Sequence, residues 1–165
     1  QASAADGLST DPYTTLFRCA EQLALFHAAV MAPDHRTDKG YTPLVLATYN
    51  GYLEAARVLL AHGADIDAHD EKGATALAGV AFKGDLALAR LLLESGAGVD
   101  VANAVGRTPL MFAVMFGRED MARLLLAAGA DPHRRDGEGL NAIELARRQG
   151  GAALAQVLEQ QSDKA

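Results

Sequence analysis

A chain of 165 residues sets a prior of one domain. Half of it is apolar, yet aromatics make up only 5% and tryptophan is absent, which suits small helices packed through Ala and Leu better than a sheet sandwich. The net charge of −6 is uneven, with 5 Lys/Arg against 10 Asp/Glu in residues 1–82 and 10 against 11 in 83–165, and the lack of a cation surplus argues against nucleic acid as the main partner.

Residues 1–10 are small and polar and read as a flexible leader. Within it, Ala2-Ser3-Ala4 has the small-residue pattern left near signal peptidase sites, so the expectation is an exported, periplasmic protein, with the cytoplasm as the alternative. Asp11-Pro12 then has the form of a helix N-cap followed by proline in the first turn. The stretch from Tyr13 to Met31 is apolar-rich and free of glycine. Its single cysteine, Cys19, can form no internal disulfide and no paired-cysteine zinc site, and it reads as a small buried apolar residue.

From residue 37 onward the chain repeats itself. Gly40-Tyr41-Thr42-Pro43-Leu44 returns as Gly73-Ala74-Thr75-Ala76-Leu77, Gly106-Arg107-Thr108-Pro109-Leu110 and Gly139-Leu140-Asn141-Ala142-Ile143, each 33 residues after the last. Leu59 to Asp65, Leu92 to Gly98 and Leu125 to Asp131 keep the same period, as do glycines 51, 84, 117 and 150. Punctuation locked to one period means stacked supersecondary units rather than one globular core.

Each unit follows one grammar. Thr42, Thr75, Thr108 and Asn141 are N-cap residues, and Pro43 and Pro109 take the first helical position, where a missing N–H costs nothing. The short first helix is expected to end at the glycine near 51, 84, 117 or 150. The second helices are predicted over Leu53 to Ala61, Leu86 to Glu94, Met121 to Ala127 and Ala152 to Leu158, with polar turns after Gly63, Gly96 and Gly129. Residues 160–165 read as a polar tail.

Helix, turn, helix and extended turn carrying Gly-x-Thr-Pro-Leu and Leu-Leu-x-x-Gly-Ala-Asp phrases resemble the ankyrin repeat. The resemblance implies an all-α solenoid: L-shaped units of two antiparallel helices and a projecting hairpin, stacked into a curve. On this reading residues 11–159 form a single domain, with full repeats at 37–69, 70–102 and 103–135 and a C-terminal cap repeat at 136–159. Residues 7–36 read as a degenerate capping repeat, since Glu21 and Phe26 are in phase with Glu54 and Leu59 while Arg18 and Val30 replace glycines. One long helix from 12 to 32 is the alternative. The family's usual histidine after Thr-Pro-Leu is replaced by Val45, Ala78, Met111 and Glu144, so its hydrogen-bond network is expected to be missing. Gly98, standing where Asp65 and Asp131 stand, is expected to loosen its hairpin.

Enzyme signatures are absent from the sequence: no phosphate loop, dinucleotide glycine pattern or nucleophile elbow occurs. The histidines at 27, 35, 62, 69 and 133 show no metal-ligand spacing. His62 to Asp70 is rich in His and Asp, but reads as turn residues rather than a metal loop. The expectation is therefore a chain without enzymatic activity, cofactor or metal, and no apolar run is long enough to span a bilayer.

The resemblance also implies where a partner would bind, at hairpin tips and on the exposed concave face of the first helices. Carried over position by position, the hairpins contribute Tyr41, Glu71, Lys72 and Arg107. The first-helix ends contribute Tyr49 and Asn50, Phe82 and Lys83, then Met115 and Phe116, with Tyr52 beside the first. Arg135 and Arg148 extend the groove, giving a field that runs from acidic at Asp70 and Glu71 to basic. Ordinary solvated surface charge is the alternative reading of that field. Tyr, Phe and Met in successive units have the composition of a binding centre, against the alternative that they pack on neighbouring helices.

The function expected is non-enzymatic binding of another protein, by a chain that is monomeric when free. Taken whole, the sequence is also similar to small bacterial ankyrin proteins, some exported and encoded beside catalases they support, which implies an accessory to a periplasmic enzyme such as a catalase. The alternative is an immunity or inhibitor protein that masks the active site of a toxin or enzyme. A redox or small-molecule role for Cys19 and the histidines is a third, weaker reading.

Overall fold

The computed structural model describes residues 34–163. The leader, Cys19, both readings of the first unit (apart from residues 34–36) and the last two residues lie outside them. Eight helices form among the described residues: α1 (Pro43–Tyr49), α2 (Leu53–Ala61), α3 (Ala76–Lys83), α4 (Leu86–Glu94), α5 (Pro109–Met115), α6 (Glu119–Ala127), α7 (Ala142–Arg148) and α8 (Ala152–Ser162). Odd-numbered helices pack on one another, and each packs on the even-numbered helix that follows it. This is the all-α stack expected from the repeats.

The predicted caps are made. Thr42, Thr75 and Thr108 accept through Oγ1 from the N–H of Val45, Ala78 and Met111 at 3.3–3.4 Å. Asn141 accepts from Glu144 at 2.9 Å, and Glu144 accepts in return from the Asn141 N–H at 3.0 Å, a reciprocal capping box. The N–H of Asn141 is the main reason the Glu144 carboxyl sits below the ordinary glutamate range, with Arg135 adding to it. The position lacking the family's histidine thus supports a cap in all four units, and in the last one supplies half of it.

Each first helix closes the same way. An N–H two or three residues past its end returns to a carbonyl five residues back: Tyr52 to Ala47, Asp85 to Val80, Arg118 to Ala113 and Gly151 to Ala146. Gly84 shows why glycine is needed there, since it holds φ +80° and lies beneath Arg118, whose Cδ would be 2.9 Å from a Cβ.

Two boundaries differ from the sequence prediction. α6 begins at Glu119 rather than Met121, because Glu119 and Asp120 in its first turn complement the positive end of the helix dipole. α8 continues past Leu158 to Ser162, so residues 160–162 are helical rather than tail, and Ser162 Oγ donates to the Leu158 carbonyl at 3.1 Å.

The core repeats with the sequence. Leu59, Leu92, Leu125 and Leu158 are all fully buried, as are Ala47, Val80, Ala113 and Ala146 at the facing positions of the first helices. Small residues at Ala56, Ala89, Ala122 and Ala155, also buried, let neighbouring helices approach.

Between units the chain is tied by side chains to backbone. Thr37, Asp70, Asn103 and Asp136 each accept two N–H groups of their own hairpin, those two and four residues on. A second ladder runs across units: Asp34 accepts from the Asp65 N–H, Asp67 from Gly98 and Asp100 from Asp131, at 2.9–3.2 Å. Burial raises the Asp100 carboxyl above the ordinary range, opposed by that N–H and by Arg134. His62 to Asp70 is accounted for in the same terms. Asp65 Oδ1 accepts from the Asp67 N–H, and the Nδ1 atoms of His62 and His69 lie against backbone carbonyls.

Gly98 corrects one expectation. Its N–H bonds Asp67 as tightly as its counterparts bond theirs, at 2.9 Å, so this rung is intact. What glycine forgoes is the bond Asp65 and Asp131 accept from the residue two positions on. The space is already taken, because a Cβ there would lie 2.6 Å from Val101 Cγ2 and 3.3 Å from Asp67 Oδ2. Gly98→Asp, which the repeat pattern suggests as a repair, is expected instead to lower unfolding stability by about 1–3 kcal/mol. Val101→Ala in the same chain is expected to recover part of the loss. Urea unfolding measures both, and a stabilised Gly98→Asp variant would contradict the tight fit.

Candidate functional site

The C-terminal ends of α1, α3, α5 and α7 stand side by side, carrying Tyr49, Phe82, Met115 and Arg148 at equivalent positions and Asn50, Lys83, Phe116 and Gln149 one residue later. Three rings form a continuous row. Tyr49 and Phe82 are stacked at 6.4 Å between centroids with planes 10° apart, and Phe82 meets Phe116 edge-to-face at 4.4 Å and 76°. Lys83 places its Nζ 4.3 Å above the centre of the Tyr49 ring.

The row is an exposed feature. Tyr49 is 44% and Phe116 46% exposed, while Phe82 between them is half-buried. The rings therefore contact one another without being enclosed by the stack. The aromatic line does not follow the repeat strictly. Met115 occupies the equivalent position but is half-buried against the core, and the next residue, Phe116, supplies the ring. Gly79 lies beside the ring, where a Cβ would meet Tyr49 Cδ2 at 3.5 Å, an ordinary van der Waals contact.

The polar neighbours brace this surface. Asn50 Nδ2 donates to the Leu46 carbonyl at 2.8 Å, within its own helix. Gln149 Nε2 reaches back to the Met115 carbonyl at 2.9 Å, and Arg118 Nε to the Phe82 carbonyl at 3.2 Å, so each ties one unit's end to the one before. Arg118 was not among the residues expected here. It follows the helix-ending glycine at a position otherwise held by Tyr52, Asp85 and Gly151, and no residue type marks it in the sequence.

The hairpin residues form a separate set. Glu71 and Lys72 are exposed at a hairpin tip, and Tyr41 is half-buried with its N–H bonded to Thr37. Tyr52 is half-buried beside α2. Lys72 donates nothing from its side chain to the next unit, but its carbonyl accepts from the Ala104 N–H at 2.9 Å, and the Val105 carbonyl accepts from Gly137 at 2.8 Å.

The basic end of the expected acidic-to-basic field is neutralised locally at some positions and not at others. Arg107 lies 3.6 Å from Asp136, whose side chain is 1% exposed, and 3.8 Å from Glu138. Arg135 pairs with Glu144 at 3.1 Å and bonds the Gly139 carbonyl. Arg147 pairs with Glu159. Arg148, by contrast, has no carboxylate within salt-bridge distance among the described residues, and it stands at the end of the aromatic row.

Arg107 is thus a structural cation for a buried carboxylate, whose Oδ1 already accepts from Glu138 and Leu140. Arg107→Ala strands that charge and is expected to cost about 3 kcal/mol of stability. Arg107→Ala with Asp136→Asn, which keeps the hairpin acceptor and removes the charge, is expected to restore part of it. Chemical denaturation of both variants tests this, and a neutral Arg107→Ala would return Arg107 to the free surface.

Among the described residues no group of three His, Cys, Asp or Glu side chains is placed to hold a metal ion, and no helix is long and apolar enough to cross a membrane. In comparison with known families, a profile described as ankyrin repeats (3 copies) matches residues 9–103 and 64–136. No curated protein matches the chain in sequence.

Proposed function

The chain belongs to the ankyrin-repeat family, whose members are generally protein–protein interaction modules without enzymatic activity, and from that premise we propose that it binds a partner protein through the row of Tyr49, Phe82 and Phe116. The observation that carries this is the exposure of Tyr49 and Phe116 on a folded stack whose core is already closed by Leu and Ala. Half-exposed rings held in fixed mutual contact offer area at little entropic cost, the property of binding anchors. The flanking residues Asn50, Lys83, Met115 and Arg148 form the rim, and Tyr41, Tyr52, Glu71, Lys72 and Arg135 are secondary contacts.

The partner we propose is an enzyme of the periplasm, such as a catalase, to which the chain is an accessory. The likeness to small bacterial ankyrin proteins and the Ala2-Ser3-Ala4 pattern support that reading. The alternative, an inhibitor covering an active site, uses the same face and differs in its effect on the bound enzyme.

The test is a pull-down from extract of the source cells with the intact chain beside a Tyr49→Ala, Phe82→Ala, Phe116→Ala variant whose helix content is verified. A single dominant partner retained by the intact chain and weakened about 30-fold or more by the variant is the expected result. Activity of the captured enzyme, preserved for an accessory and suppressed for an inhibitor, separates the two roles. Equal capture by both chains would refute the assignment of the row.

A further inference from the structure

What sets the cations around the aromatic row apart is where they stand, since Arg36, Lys39, Lys72, Arg90 and Arg134 elsewhere on the described surface also form no salt bridge among the described residues. Arg57, Arg107, Arg123, Arg135 and Arg147 all face carboxylates. Lys83, Arg118 and Arg148 face none within 4.0 Å among the described residues. Each is nevertheless at the row: Lys83 over the Tyr49 ring, Arg118 bonded to the Phe82 carbonyl, and Arg148 beside Gln149, whose amide holds the Met115 carbonyl.

The carboxylates nearest to them in sequence are occupied or held elsewhere. Asp85 accepts from the Leu88 N–H at 3.2 Å as an N-cap, and Glu119 is paired with Arg123 at 2.7 Å. Asp120 stands in the first turn of α6, where the helix dipole favours it. None of the eight residues at the first-helix ends is acidic, in a chain whose net charge is −6. A local surplus of cations on an otherwise acidic protein costs self-repulsion, offset only in part by the ring contact of Lys83 and the carbonyl bond of Arg118. It acquires a partner when a complementary charge arrives from outside.

We infer that the segment this row receives is acidic and apolar together: a stretch of partner chain in which Asp or Glu stands among Leu, Ile or aromatic residues. The apolar side chains lie along Tyr49, Phe82 and Phe116, and the carboxylates reach Lys83 near one end and Arg148 at the other. Lys83 can serve both roles, because an ammonium over a ring face keeps its remaining donors free for a carboxylate. The inference rests on the row being the partner-binding face and adds the chemistry of what it binds.

The experiment is selection of a displayed library of random peptides on the immobilised full chain, repeated on two variants. One is Lys83→Glu with Arg148→Glu; Arg118 is left intact because it braces the Phe82 carbonyl. The other is the Tyr49→Ala, Phe82→Ala, Phe116→Ala chain. Acidic-apolar peptides are expected on the intact chain, retained at least about tenfold less by the charge-reversed variant, which should enrich Lys and Arg instead. Their loss from the triple-alanine chain is also expected. Enrichment of basic or uncharged peptides on the intact chain, or of none, overturns the inference. Acidic peptides indifferent to charge reversal but lost from the triple-alanine chain overturn it while leaving the row as the binding face. Acidic peptides held equally by all three chains overturn both.

Discussion

A helix of seven residues closes too few hydrogen bonds to persist alone in water, and four of the helices here are seven or eight residues long. What holds them is the neighbour. Leu59, Leu92, Leu125 and Leu158 are fully buried because each is walled by its own helix pair and an adjoining one. The ladder of Asp34, Asp67 and Asp100 accepting from the next unit's backbone fixes the spacing at which that burial occurs. No unit is complete by itself, so sequence period, core and ladder are one constraint seen at three levels.

That constraint positions the surface. Because the first helices end with the same carbonyl closure at each glycine, the residues just before those glycines are brought into line without further contacts. Tyr49, Phe82 and Phe116 need only be aromatic to form a row, and their ring contacts, each worth about 0.5–1.5 kcal/mol, then hold them in fixed orientations. Polar braces from Arg118 and Gln149 join successive ends through main-chain carbonyls. The scaffold supplies the order, and the side chains on it are free to suit a partner.

Much of this was legible in the residues. The period, the Thr and Asn caps, the glycine stops and most helix boundaries follow from short-range chemistry that each unit repeats. The exceptions are physical. Glu119 and Asp120 extended a helix backwards through their charge, and the polar Gln160-Gln161-Ser162 stayed helical because nothing after Leu158 breaks the chain's hydrogen bonding. Within the candidate site, the aromatic row was visible as composition, but the step from Met115 to Phe116 was not, since it depends on which side chain the core has room for. Arg107 and Arg135 looked like groove cations because their partners, Asp136 and Glu144, are 29 and 9 residues away, and pairing at such separations is set by the fold. Gly98 looked like a defect until Val101 was seen to fill its place.

Everything proposed for this chain depends on rings that the free protein leaves in water. Solvent paramagnetic relaxation of side-chain protons in the isolated chain reports that directly. The account predicts ring protons of Tyr49 and Phe116 relaxed like those of surface side chains, Phe82 less so, and the methyls of Leu92 hardly at all. Tyr49 and Phe116 rings as protected as the Leu92 methyls would contradict it.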